Sequence, residues 1–293
     1  MDWQTSRFRI DLSTPKVMGI VNVTPDSFSD GGAYAGRDAA LAHCERLLRD
    51  GADILDIGGE STRPGALELP VDEELARVLP VIRHAVTLGV PVSVDTYKPA
   101  VMQAALDLGA DIVNDIWALR WRSTPTDRTG AQVVSQHPSC GVCVMHMHRN
   151  PQTMQTAPME GDVVPQVLSF LEQITQDLRG LGVDSARICI DPGIGFGKTV
   201  QQNFALLGQQ SLLLPLGYAV LAGWSRKSSL AAVTERSLSA VATLDIRDRL
   251  VPSVTAALLA VQNGAHVVRV HDVKETVQAL KVFAAMQQQE TTA

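Results

Sequence analysis

Eight short apolar, β-branched runs recur along the chain: "KVMGIVNV", "ADILDIG", "VPVSVD", "DIVNDI", "GVCVMHM", "RICIDPG", "YAVLAGWS" and "AHVVRVHD". This repetition narrows the choice of fold more than any other feature. Each run is short for a helix and nearly continuous in apolar residues, so it reads as a strand buried on both faces. Between the runs lie segments of helical period, Arg37–Asp50, Asp72–Leu88, Pro99–Leu108, Asp162–Leu181, Thr199–Leu213, Ser253–Asn263 and Lys274–Met286. A weaker helical pattern, Thr126–Gln136, fills the interval between the fourth and fifth runs. Several helical segments stop at a glycine just before the next strand, as in "RDGADILDI", "TLGVPVSV" and "QNGAHVVRV", where the chain must turn left-handed.

Alternating β and α units with doubly buried strands call for a parallel sheet, and eight such units are the number that closes a (β/α)8 barrel of the TIM type. An open doubly wound sheet is the alternative. The 293 residues fall within the span of one such barrel, and no linker, low-complexity tract or shift of composition divides them. The expected organisation is a lead-in segment over residues 1–15, one catalytic domain over 16–286 and a tail over 287–293.

A net charge of −6 weighs against nonspecific nucleic-acid binding, which needs a basic surface. No window approaches 18 consecutive apolar residues, and the start "MDWQTSRFRIDLSTPK" has no signal-peptide core, so a cytoplasmic location is expected. Cys44, Cys140, Cys143 and Cys189 are few for a disulfide scaffold and are expected to be reduced. The spacing of Cys140 and Cys143, with His146 and His148 following, is a zinc-ligand spacing. Strand alternation, however, puts Cys143 and His146 on opposite faces, which favours buried thiols.

Barrel chemistry sits where strands end, and these ends are polar. They carry Asn22, the segment "GGESTRPG", Asp95, Asn114 with Asp115, His146, Asp191, Lys227, and Arg269 with His271. Any one of them could serve as a cap, but their convergence at one mouth marks a binding site. Asp95, Asn114, Asp191 and Lys227 suit a flat heterocycle with amide and amino edges. Arg269 and His271 suit a phosphorylated group, and Asn22 offers a hard oxygen to a phosphate-bound Mg2+. The segment "IDPGIGFGKT" is not a phosphate loop of the Walker type. Pro192 stands where its first glycine is required, and Gly193, Gly195 and Gly197 are too closely spaced for a dinucleotide fingerprint.

The segments "VMGIVNVTPDSFSDGG", "DIGGESTRPGA", "SVDTYKP", "VNDI", "VMHMHRNPQTMQ", "IDPGIGFGKT", "GWSRKSSL" and "HVVRVHDV" resemble, in order and over nearly the whole chain, the signature segments of dihydropteroate synthases. The resemblance implies a (β/α)8 barrel that joins 6-hydroxymethyl-7,8-dihydropterin diphosphate to p-aminobenzoate in folate biosynthesis, a sulfonamide target. It implies a pterin pocket of Asp95, Asn114, Asp191 and Lys227, with Met145 and Ile116 lining the slot. It further implies a diphosphate and Mg2+ site of Asn22, Arg269 and His271, and a p-aminobenzoate wall of Phe196, Lys227 and Ser228. Phe28, Thr62, Arg63 and Pro64 would lie in two loops over the reacting centre, and Lys227, Arg269, His271 and Asp95 would form the catalytic set. A homodimer through later helices is also implied. A pterin-binding methyltransferase barrel is the nearest rival, but the "SRKS" and "TPDSFSDGG" loops set the chain apart from it. A catalytically silent pterin-binding protein is disfavoured because every carried-over residue is intact. Residues 120–140 and 235–252 depart from the family pattern.

Overall fold

Each of the eight runs forms a strand in the computed structural model, which describes residues 1–24, 32–61, 66–124, 127–234 and 246–290. The barrel strands are β3 (Lys16–Asn22), β4 (Ile54–Gly58), β5 (Val92–Asp95), β6 (Ile112–Asp115), β7 (Gly141–Met145), β8 (Ile188–Asp191), β9 (Ala219–Ala222) and β10 (Val267–Val270). They pair in parallel, each with its sequence neighbour, and β10 pairs with both β9 and β3 to close the ring. The closed barrel, not the open sheet, is therefore the architecture.

The helices are α1 (Gly32–Arg49), α2 (Val71–Ala85), α3 (Pro99–Asp107), α4 (Gly130–Gln136), α5 (Val163–Gly180), α6 (Val200–Gly208), α7 (Ser228–Thr234), α8 (Leu250–Gln262) and α9 (Val273–Glu290). The weak pattern before β7 is a true helix, α4, started by a reciprocal capping box between Thr129 and Gln132. The seventh unit carries two helices, because α7 precedes α8, and sequence periodicity marked only the second. Pro252 lies in the first turn of α8, where a missing N–H breaks no helical bond. The stop glycines Gly51, Gly89 and Gly264 adopt φ of 101°, 74° and 93°, a backbone that side chains with a Cβ disfavour.

Outward-facing strand residues such as Val17, Leu55, Val94, Val113 and Val220 pack with the helices into the main core. Inward-facing Met18, Ile54, Ile112, Cys143, Cys189, Leu221 and Val267 form a second cluster with Trp3, Ile10 and Leu12. Those three come from a hairpin at the start of the chain, β1 (Asp2–Gln4) paired with β2 (Arg9–Asp11). The hairpin plugs the barrel floor. Trp3 donates its indole N–H to the Arg187 carbonyl at 3.0 Å, and Arg7 forks onto buried Asp111 at 3.0 and 2.6 Å. Trp3→Phe keeps most of the ring but leaves the Arg187 carbonyl without its donor. It is expected to cost about 1–2 kcal/mol in urea unfolding with turnover unchanged; a loss below ~0.3 kcal/mol would show that the plug and barrel are energetically independent.

Candidate active site

Side-chain parity decides which polar residues at the strand ends enter the barrel. On β4, Ile54 faces inward to the floor cluster, so Asp56 faces inward two residues above it. On β6, Asn114 shares the inward parity of Ile112. Asp115 points the other way, where its two oxygens accept the N–H groups of Trp117 and Leu119 at 2.8 and 2.7 Å. It thereby holds a turn in which Ala118 and Leu119 take φ of 52° and 64°. Asp115 is a backbone cap, not a wall of the site.

Arg269, inward on β10, ties the barrel walls together. Its Nε donates to Asp56 at 2.6 Å and its Nη2 to Asp95 at 2.5 Å, while Asn114 donates to the same Asp56 oxygen at 3.3 Å. Burial raises the Asp95 carboxyl to about 7; the charges of Asp56 and Glu74 add to the rise, and Arg269 and Lys227 oppose it. Although burial works the other way, the two carboxylates hold the Arg269 guanidinium above its usual value.

Across the mouth, Asp191 closes β8 and accepts the Gly193 N–H through Oδ1 at 2.7 Å. Gly193 has φ of 70°, and a Cβ there would fall 1.8 Å from the His146 carbonyl oxygen, so only glycine fits. Lys198 is buried and donates to the carbonyls of Gly193, Phe196 and His146 and contacts His146 Nδ1. This lysine pins the glycine turn to the end of β7, in keeping with a loop residue and not a phosphate anchor. Burial draws it down to about 7, with Asp191 opposing and Lys227 adding. His146 is consumed by these contacts and by an edge-on packing with Phe170, 4.9 Å between centroids, so it stands outside the site. Cys143 lies on the opposite strand face, in the floor cluster beside Cys189.

Lys227 follows β9 and sets its ammonium 4.2 Å from the centroid of the Phe196 ring. Burial pulls it down to about 8, with the Asp191 and Asp95 charges resisting and Arg269 assisting. Lys227 therefore shares one electrostatic environment with Asp95, Asp191 and Arg269. Ser228 is exposed at the first position of α7. Ile116, Met145 and Phe196 form a buried apolar rim with Tyr97, Met147 and Met154. Neighbouring Arg226 is spent on Asp272, with contacts at 2.6 and 3.2 Å, and so holds the loop. His271 bonds Ser225 through both its backbone N–H, at 3.1 Å, and its ring Nδ1, at 2.9 Å. Asn22 ends β3 in register with Gly58, which is in turn in register with Asp95. Phe28, Thr62, Arg63 and Pro64 lie outside the described residues.

The model of the pterin binding enzyme family matches residues 18–271. The dihydropteroate synthase of Neisseria meningitidis serogroup B is 45% identical over 289 residues, 97% of each chain. The chain belongs to the dihydropteroate synthase family. It is a transferase. Two solved family structures carry the same barrel. The Burkholderia cenocepacia dihydropteroate synthase complexed with 7,8-dihydropteroate has a TM-score of 0.85 at 45% identity and covers 100% of this chain and 98% of its own. The Yersinia pestis dihydropteroate synthase with a sulfonamide drug has a TM-score of 0.88 at 38% identity, covering 98% and 100%.

Two parts of this dihydropteroate synthase family site escaped sequence reasoning. Asp56 sits inside an apolar run and not at its end, and only inward parity from Ile54 could have exposed it. The other is a buried ion cluster around Lys98, in the loop after β5. Lys98 bridges Glu60 at 2.5 Å and Glu74 at 2.7 Å and donates to the Leu69 carbonyl at 2.5 Å, while Tyr97 donates to Glu60 at 2.8 Å. The cluster ties Glu60 and the Leu69 carbonyl to α2 and to the loop after β5. Removing Lys98 would leave buried Glu74 without its cation, the costly way to break such a set. No helix among the described residues is long and apolar enough to cross a membrane.

Proposed function

We propose that this transferase condenses 6-hydroxymethyl-7,8-dihydropterin diphosphate with p-aminobenzoate, releasing pyrophosphate and 7,8-dihydropteroate. The observation that carries this reading is the joining of Asp95, Asn114 and Arg269 in one bonded network through Asp56, with Asp191 and Lys227 in the same field. Carboxylates and an amide on opposite walls match the donor and acceptor edges of an aminopyrimidinone ring. Phe196 and the stem of Lys227 offer an apolar, cation-lined wall to a benzoate, with Ser228 beside it.

The leaving group sets the mechanism. The bond from the exocyclic methylene carbon to the diphosphate oxygen breaks first, and the electron pair leaves with pyrophosphate. The dihydropterin ring delocalises the cation so formed, which Asp95 and Asp191 stabilise in their ionised form. The amino nitrogen of p-aminobenzoate then attacks the methylene carbon and gives its proton to water. An arylamine is neutral and nucleophilic near pH 7, so positioning outweighs general-base strength. Arg269 and His271 receive the departing charge.

Asn22 supplies one hard oxygen at the strand end, and among the described residues no group of three or more His, Cys, Asp or Glu side chains could hold a metal. That donor set fits an ion shared with a diphosphate and does not fit an all-protein cage. Bound Mg2+ would neutralise charge on the leaving diphosphate. Purified protein with pterin diphosphate, p-aminobenzoate and Mg2+ should release pyrophosphate; binding of the pterin without release would overturn the transferase chemistry proposed here.

The assembly reading is a homodimer through α8 and α9. Val251 (72% exposed) and Leu259 on α8, with Val282 (73% exposed) and Met286 on α9, put large apolar side chains into solvent on two packed helices. Val282→Asp is expected to raise the dimer dissociation constant at least about tenfold by sedimentation velocity. An unchanged constant would place the interface elsewhere. The buried, unpaired state of Cys44, Cys140, Cys143 and Cys189 supports the cytoplasmic reading.

A further inference from the structure

Beneath the ligand-facing rim, one carboxylate has no role in the chemistry just described. Asp56 is fully buried on the inner wall of β4. Its Oδ2 accepts both the Arg269 Nε–H at 2.6 Å and the Asn114 amide at 3.3 Å. Its Oδ1 is buried with no hydrogen-bond partner in the protein, as is Oγ of its register neighbour Ser93 on β5. A buried carboxylate without a full set of donors is costly, so chance retention as packing is a poor account of it.

Arg269 is held by two carboxylates of different standing. The Asp56 side chain is sealed, with a relative exposure of 0%, whereas that of Asp95 is 15% exposed and stands where a ligand can reach it. We infer that Asp56 is the permanent positioning residue for Arg269 and Asp95 its exchangeable partner. In this division, a pterin that claims Asp95 removes the Nη2 contact, and the Nε–Asp56 bond keeps the guanidinium plane fixed. The remaining N–H groups of the fork then stay aimed at the leaving diphosphate. Asp56 touches neither substrate; it acts through Arg269. The inference rests on the pterin and diphosphate reading of this mouth.

Two measurements test it. In the intact wild-type protein, the Arg269 Nε–H resonance, assigned by its loss in Arg269→Lys, should be protected from exchange. It should stay protected when the site is saturated with pyrophosphate, Mg2+ and a pterin. Loss of protection on saturation would overturn the division of roles, and this readout depends neither on turnover nor on the folding of a variant. Second, Asp56→Asn should lower kcat about 10- to 100-fold with the KM for p-aminobenzoate within about twofold of wild type. In an Arg269→Gln background the same change should cost no further activity.

The pH profile adds a readout that a packing role would not move. Asp95 faces Asp56 from β4, Arg269 from β10, Asn114 from β6, Glu74 from α2 and Lys227 from the loop after β9. Removing the Asp56 charge should shift the acidic limb of kcat/KM downward by at least about half a pH unit. Full kcat in Asp56→Asn, an additive loss in the Arg269→Gln background or an unmoved limb would each overturn the inference. A wild-type protein that releases no pyrophosphate would instead refute the underlying function while leaving the Nε–H measurement readable.

Discussion

Asp191→Asn is expected to lower kcat/KM for the pterin diphosphate about 100-fold, a loss of about 3 kcal/mol, while the barrel stays folded. One oxygen of Asp191 already serves the Gly193 N–H at 2.7 Å, so the other is the acceptor available to a ligand. An asparagine can keep the Gly193 bond with its own oxygen, but its amino group then replaces an acceptor with a donor. Substrate N–H groups would meet N–H groups in a buried pocket. The fold should tolerate the exchange because burial already works against the ionised carboxyl and pushes Asp191 upward. Calorimetry with the pterin diphosphate measures the loss, and near wild-type affinity would remove Asp191 from the pocket.

Lys227→Met should separate function from stability. Turnover is expected to fall about 100- to 1,000-fold, since the change removes the cation shared by Asp95 and Asp191 and the charge above Phe196. Stability should not fall, because burial lowers Lys227 to about 8, which means the folded site disfavours the ammonium it holds. The sign with pH follows from that depression. Below about 8 the lysine is charged in both folded and unfolded chains, and its desolvation penalty is fully present. Between about 8 and its ordinary value near 10.5, the folded lysine is neutral while the unfolded one still binds a proton, so the wild type gains stability on the variant as pH rises. Urea unfolding of both proteins at pH 7 and pH 10 checks this. A variant clearly less stable at pH 7, or a difference insensitive to pH, would contradict the electrostatic account of the site.

Much of the site was legible because barrel chemistry follows strand ends. Asp95, Asp191, Arg269 and Lys227 were all found by asking what stands where an apolar run stops, and the structure gathers them in one mouth. That rule fails where direction matters. Asn114 and Asp115 are adjacent at one strand end, yet one enters the barrel and the other caps a turn outside it. It fails again for Asp56, which is met by an arginine 213 positions away only because barrel closure sets β10 against β3 and β3 against β4.

The sequence by itself determined the eight strands, every helix between them but α7, and the glycine stops. These depend on local periodicity and backbone sterics, which act within a few residues of the chain. The hairpin plug and the bonding of Arg269 to two carboxylates were decided only by the tertiary structure. Their energies come from contacts between distant segments: Trp3 meets Arg187, Lys98 meets Glu60 and Glu74, and Lys198 meets the end of β7. No local pattern encodes such partners, because which buried charge meets which depends on strand register and on the burial that closure creates.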